Sequence, residues 1–133
     1  MEMKKKFLTI TVLTCMLFTP SPSFAEWEEV SASVSGNTFY VDIDRIKRNG
    51  GYTYFWELRD YLKPDKFGDL SSKTLIELDC NTPRRHRTLS STYHTQPMGK
   101  GAPSTTDNRT GEWVYDIPTG SVVEEITNFA CSR

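Results

Sequence analysis

Tyr52-Thr53-Tyr54-Phe55-Trp56-Glu57-Leu58-Arg59-Asp60-Tyr61-Leu62 alternates in character, and the fold class follows from it. Tyr52, Tyr54, Trp56, Leu58 and Leu62 line one side of an extended chain; Thr53, Glu57 and Arg59 mark the other. A period of two in a run rich in aromatic residues is the signature of a β-strand. Lys63-Pro64-Asp65 stops it, since proline cannot donate to a strand ladder. The row Tyr52, Tyr54, Trp56 reads as core, with a stacking platform as the competing use of the same rings.

The same period recurs on both sides. Trp27 to Val34 and Thr38 to Ile43 are strands around the turn triplet Ser35-Gly36-Asn37. In the second of them Phe39, Val41 and Ile43 share a face. Asp44 to Arg48 reads as one helical turn closed by Asn49-Gly50-Gly51. Downstream, Lys73 to Cys80 sets Thr74, Ile76, Leu78 and Cys80 on its more apolar face. After Asn81-Thr82-Pro83 comes a polar strand, Arg84 to His94. Gln96 to Gly111 carries three glycines and two prolines and reads as a long mobile loop. Glu112 to Asp116 is a short last strand. Ser121 with Glu124 forms a capping box ahead of Val122, Val123, Ile126, Phe129 and Ala130, the apolar stripe of a helix. Cys131 falls off that stripe, so the helix is expected to end before it. The sum is an α+β, mainly β, domain: a single antiparallel sheet of five or six strands with a carboxyl-terminal helix on one face.

The amino terminus has a different logic. Lys4 to Lys6 precede an apolar run of about 12 residues from Phe7 to Phe18, well short of the ~20 a spanning helix needs. Ser23-Phe24-Ala25 then presents small residues, so residues 1–25 read as a signal peptide cleaved after Ala25, leaving 26–133 as one domain. A competing lipoprotein reading would use Cys15. The chain holds 16 basic and 17 acidic side chains, and removal of the leader leaves 13 against 16. That balance gives no general pull toward nucleic acid or anionic membrane. Cys80 and Cys131 remain in a compartment that permits disulfides, and one bridge is the simplest arrangement. A metal or catalytic pair is the rival, without a C-x-x-C to support it.

No spacing specifies a catalytic centre, a metal or a cofactor. His86 and His94 sit at even spacing, hence on one strand face, but eight strand residues span roughly 26 Å and both read as surface side chains. Asp42 and Asp44 lack the glycine-bearing acidic loop of a calcium site. An enzyme would need a pocket gathering residues such as His94, Ser104 and Asp107. Asn108-Arg109-Thr110 fits a glycosylation sequon by pattern alone. Arg84-Arg85-His86-Arg87 is the densest positive run. It offers a grip on an acidic partner, a sulfated sugar or a phosphate; the plainer reading is a solvated margin paired with acids such as Asp79.

Taken in order, Phe39-Tyr40-Val41-Asp42-Ile43-Asp44-Arg45-Ile46, Trp56-Glu57-Leu58-Arg59-Asp60-Tyr61 before Pro64, and Leu78-Asp79-Cys80 form a recognisable set. Arg87 to Tyr93, Gly99, Trp113, Pro118-Thr119-Gly120-Ser121 and the final Cys131 complete it. The set resembles the surface-adhesin protein E-like family over nearly the whole chain after residue 25. The resemblance implies an antiparallel sheet tied to its terminal helix by a Cys80–Cys131 bridge, in a bacterial envelope protein without a catalytic site. It also implies adhesion to host matrix or serum proteins such as vitronectin and laminin, and a capacity to dimerise. The family's binding segment is basic and precedes the first cysteine, a stretch where this chain offers Lys66 and Lys73. The expectation is thus an exported, non-catalytic module, periplasmic or at the cell surface. It would hold a protein through Arg84, Arg85, Arg87, Lys66 and Lys73. The alternative is a structural or chaperone-like envelope protein with no host ligand.

Overall fold

The computed structural model describes residues 25–133, so residues 1–24, which hold Cys15 and all but the last residue of the expected signal peptide, lie outside the described residues. Seven strands form one antiparallel sheet: β1 (Trp27–Ala32), β2 (Thr38–Asp42), β3 (Lys47–Asn49), β4 (Tyr52–Asp60), β5 (Ser71–Asp79), β6 (Arg85–His94) and β7 (Thr105–Asp107). Their spatial order is β1-β2-β4-β5-β6-β7, with β3 paired to β4 beside β2. One helix, α1 (Val122–Cys131), follows. The fold is therefore the expected mainly-β sheet with a terminal helix. Two three-residue strands, β3 and β7, stand where a helical turn and a loop were expected.

β3 exists because Gly50 and Gly51 both adopt positive φ, 61° and 84°. With Asn49 opposite Tyr52, they are the two central residues of a tight hairpin turn whose positive φ values glycine adopts without steric cost. The helical turn is shorter and earlier than expected, a 3-10 turn at Ile43–Arg45 capped by Asp42. Across the sequence anticipated as a last strand, pairing shrinks to a single bridge between His86 and Val114.

The register of β4 corrects the face assigned to it. Phe55 lies opposite Ile76, and Thr53 opposite Leu78. Phe55, Ile76, Leu78 and Val41 form the core with Ile126 and Ala130 of α1. The aromatic row Tyr52, Tyr54, Trp56 points the other way and is only half buried. Leu58, on that same far side, is fully buried, whereas Leu62 lies past the strand and is 65% exposed. The alternation was real, but β4 carries apolar residues on both faces. Its match to Ile76 and Leu78 selected the set containing Phe55.

β6 holds a second correction. The register slips between Leu75 and Ile76, whose partners are Ser90 and Thr88, so Leu89 is an inserted bulge residue. His86 therefore faces the helix side opposite Leu78, while His94 pairs with Ser71 on the far side. Neither is a surface residue. His94 is 2% exposed: its Nδ1 donates to the Gly101 carbonyl at 3.2 Å and its Nε2 faces the Thr92 hydroxyl at 2.9 Å. His86 is half buried, and its Nε2 has no partner among the described residues.

The helix begins as expected. Ser121 accepts from the Glu124 amide at 3.1 Å, though Glu124 reaches back to the Gly120 amide rather than to Ser121's own. α1 runs one residue further than anticipated and includes Cys131, which bonds Cys80 across a separation of 51 residues. The bridge ties the helix end to the end of β5, and both sulfurs pack against the core.

Replacing Cys80 and Cys131 together by alanine should lower the unfolding free energy by about 4 kcal/mol, from the loop of ~51 residues released in the unfolded chain. A urea midpoint unchanged from that of the oxidised protein would refute the estimate. A second prediction concerns pH. Burial holds both histidines below their ordinary range; the Lys73 charge adds to the effect at His94, while at His86 Glu57 opposes it and Arg59 adds to it. Folded pKa values below the unfolded ~6.5 mean that the unfolded chain binds protons the folded chain refuses. Stability is therefore complete above about pH 7 and declines as pH falls through 6.5 toward the lower folded values. Urea midpoints at pH 7.5 and 5.5 should show this loss, and a His86→Gln/His94→Gln variant should lose most of it.

Candidate functional site

The sheet face away from α1 carries no α-helix among the described residues, only a 3-10 turn at Pro97–Gly99. On it β5 presents Lys73, Leu75, Glu77 and Asp79, and β6 presents Arg87 opposite Glu77 and Arg85 opposite Asp79. β4 supplies Tyr52, Tyr54 and Trp56 alongside. The bridge at Val114 places Trp113 and Tyr115, its neighbours on either side, over this same surface.

These side chains interlock. Tyr52 stacks on Trp113 with ring centres 5.7 Å apart and planes at 29°. Arg85 and Arg87 both lie over the Trp113 ring, at 4.2 and 4.3 Å. Arg85 also donates to Asp79 at 3.3 Å and to the Tyr115 and Tyr52 hydroxyls at 3.2 Å each. Glu77 accepts from Arg87 Nε at 2.6 Å and from the Tyr54 hydroxyl at 2.6 Å, which holds the Tyr54 phenol above its ordinary range. Asp79 is held below the usual carboxylate range, first by the Asn81 amide and then by Arg85. Arg85 is thus spent on this lattice. Arg87 commits only Nε to an acceptor among the described residues, leaving its terminal nitrogens to reach a partner.

Farther along the same face lies a groove of about 640 Å³ between Trp27, Arg45, Lys73, Met98 and Lys100. Its rim is fixed by hydrogen bonds. Met98 N donates to Asp60 at 2.8 Å, Gly99 N to Ser71 Oγ at 2.8 Å, and Ser71 Oγ to the Gln96 carbonyl at 2.6 Å. Gly99 has a φ of 65°, and a Cβ there would also sit 2.9 Å from the Lys73 side chain and 3.2 Å from Leu58, so glycine is favoured at this close approach. The start of the segment anticipated as a mobile loop is therefore anchored. Lys73 and Lys100 have no carboxylate partner among the described residues, while Arg45 is paired to Asp42 at 2.5 Å and lies 5.6 Å from the Trp56 ring.

Of the five cations singled out in the sequence, Arg85, Arg87 and Lys73 share this face. Arg84 and Lys66 do not. Arg84 turns to α1 and donates to Asn128 at 2.5 Å. Lys66 sits in the β4–β5 loop, 5.0 Å from the Phe67 ring, at the opposite end of β5 from Arg85. Trp113, Tyr115, Trp27, Arg45 and Lys100 were missed. The alternation Trp113-Val114-Tyr115 was the available signal for two of them; the rest depend on loop paths that no local pattern reveals. The other groups weighed from the sequence are engaged separately. Asp42 is buried and holds Asp44 N and Arg45, Ser104 donates to Asp69, and Asp107 is clamped by Arg109.

The family model described as surface-adhesin protein E matches residues 27–132. No curated protein matches the sequence. Among solved structures, crystal form II of Haemophilus influenzae protein E superposes with a TM-score of 0.59 at 12% identity, covering 85% of this chain and 92% of that one. At that identity the likeness speaks for the fold.

The Trp113 lattice should be measurable directly. Trp113→Ala should lower stability by about 1–2 kcal/mol, the sum of one aromatic pair and two partly exposed cation–π contacts. In a double-mutant cycle with Arg85→Gln the two sites should couple by about 0.5–1 kcal/mol; strict additivity would mean that the guanidinium gains nothing from the ring.

Proposed function

The chain belongs to the surface-adhesin protein E family, and from that premise we propose that it is an exported, non-catalytic module that binds a protein through the sheet face opposite its helix. The carrying observation is the gathering of Arg87, Lys73 and Lys100 with Trp113, Tyr115 and Trp27 on the one sheet face that α1 does not cover. Arginine and large aromatic residues are the side chains that dominate protein interfaces, the rings because they bury much area with few rotatable bonds and the guanidinium because one planar group makes several directed hydrogen bonds. The two lysines without carboxylate partners draw an acidic segment toward the groove, and the aromatic lattice gives it a rigid surface to desolvate against. Export is supported by the amino-terminal pattern ending at Ala25 and by the disulfide. Among the described residues no helix is long and apolar enough to cross a membrane.

The test uses biosensor surfaces carrying vitronectin and laminin, the ligand class the family implies. The wild-type domain should bind at least one. Lys73→Glu/Lys100→Glu should weaken binding about tenfold or more, chiefly by slowing association, and added salt should reproduce the effect. Arg84→Glu, on the helix side, should bind as wild type. Undiminished binding by the groove variant would remove this face from the function. Absence of binding to both proteins would favour a structural role in the envelope.

A further inference from the structure

The helix-bearing face is only partly covered. α1 rests on β1, β2 and β4, and beside it the sheet encloses a separate hollow of about 210 Å³. Hydroxyls make its floor: the Tyr61 hydroxyl donates to Ser72 of β5 at 2.9 Å, and Thr74 pairs with Ser91 of β6 at 3.1 Å. Tyr61 and Tyr93 form walls, and Thr88 closes one end. Two guanidiniums border the space, each already matched. Arg59 Nε donates to the buried Glu57 at 2.5 Å, and Arg109 grips Asp107 through Nε and Nη2 at 3.0 and 2.8 Å.

We propose that this hollow is a subsite for one neutral sugar ring, the terminal residue of a surface glycan. Charge argues first. With each guanidinium paired to its own carboxylate the site is neutral overall, so it offers no net attraction to an anion or a cation. Asp107, held down to about 2 by Arg109, keeps its half of the balance across the physiological range. Unspent hydrogen-bonding capacity argues next. Among the described residues the terminal nitrogens of Arg59 and the hydroxyls of Tyr93 and Thr88 have no side-chain partner. Donors and two-way hydroxyls around one small space suit a polyol, whose every hydroxyl both gives and accepts. Size argues third: the volume falls below the ~300 Å³ at which sites for drug-sized ligands begin, and it leaves room for a single ring. The tyrosine rings supply an apolar surface for the C–H face of a sugar, with the Tyr61 hydroxyl held by Ser72 and the Tyr93 hydroxyl left to the ligand.

The hollow lies on the opposite side of the sheet from the proposed protein-binding face, so the two readings stand or fall separately. The experiment is a titration of the ¹⁵N-labelled domain with glucose, galactose, mannose, fucose, N-acetylglucosamine and N-acetylgalactosamine. Each is taken to about 50 mM, since so few contacts support only millimolar affinity. At least one sugar should give saturable shifts at the Ser72, Ser91, Tyr93 and Asp107 amides. Tyr93→Phe and Arg59→Lys, which keep ring and charge, should weaken it about five- to tenfold with amide dispersion intact. Lys73→Glu/Lys100→Glu should titrate as wild type. No response to any of these sugars, or shifts located elsewhere, would overturn the proposal.

Discussion

Everything in this domain depends on Phe55 lying opposite Ile76. That pairing sets which half of β4 meets the helix. A slip of one residue would present Tyr54 and Trp56 to α1 and expel Phe55, since successive side chains of a strand point to opposite faces. The core it creates is small, so the covalent tie from Cys80 to Cys131 carries weight beyond its own contacts. It holds the only α-helix among the described residues against the strand that supplies Ile76 and Leu78.

The same register leaves the far face rich in aromatic surface that would be a liability if bare. The protein manages it with charge. Arg85 and Arg87 cover the Trp113 ring, Arg45 lies over Trp56, and acids from β5 hold two of these guanidiniums in place. Planar guanidiniums are weakly hydrated and can stack on a ring while bonding a carboxylate in their plane, which an ammonium cannot do. The surface is thus both water-compatible and preorganised, the two properties a binding face needs before its partner arrives.

Much of this was legible. The alternation in β2 and β5, the cap at Ser121, the even cysteine pair and the ordered motifs of the family all pointed to the observed sheet, helix and bridge. The face of β4 was not legible, because an amphipathic aromatic strand satisfies both choices locally and only its neighbour discriminates. Nor were the histidine positions: a bulge at Leu89 leaves no mark in composition, yet it reverses the parity of every later residue in β6. The cation cluster read as one run, Arg84 to Arg87, is divided between faces by the strand itself. Lys73 joined the site through space, as did Lys100, carried there by a rim whose hydrogen bonds come from Asp60 and Ser71.

The bulge at Leu89 also bears on how such a domain diversifies. Upstream of it, the residues of β6 with odd numbers belong to the cationic lattice; downstream, odd numbers belong to the hydroxyl-lined hollow. One inserted residue therefore lets a single strand answer to two unrelated surfaces in succession. Mutation can rework the cationic lattice at Arg85 and Arg87 while leaving the surroundings of Ser91 and Tyr93 on the other face unchanged. Two solvent-facing surfaces on one sheet are free to evolve as if they belonged to separate modules.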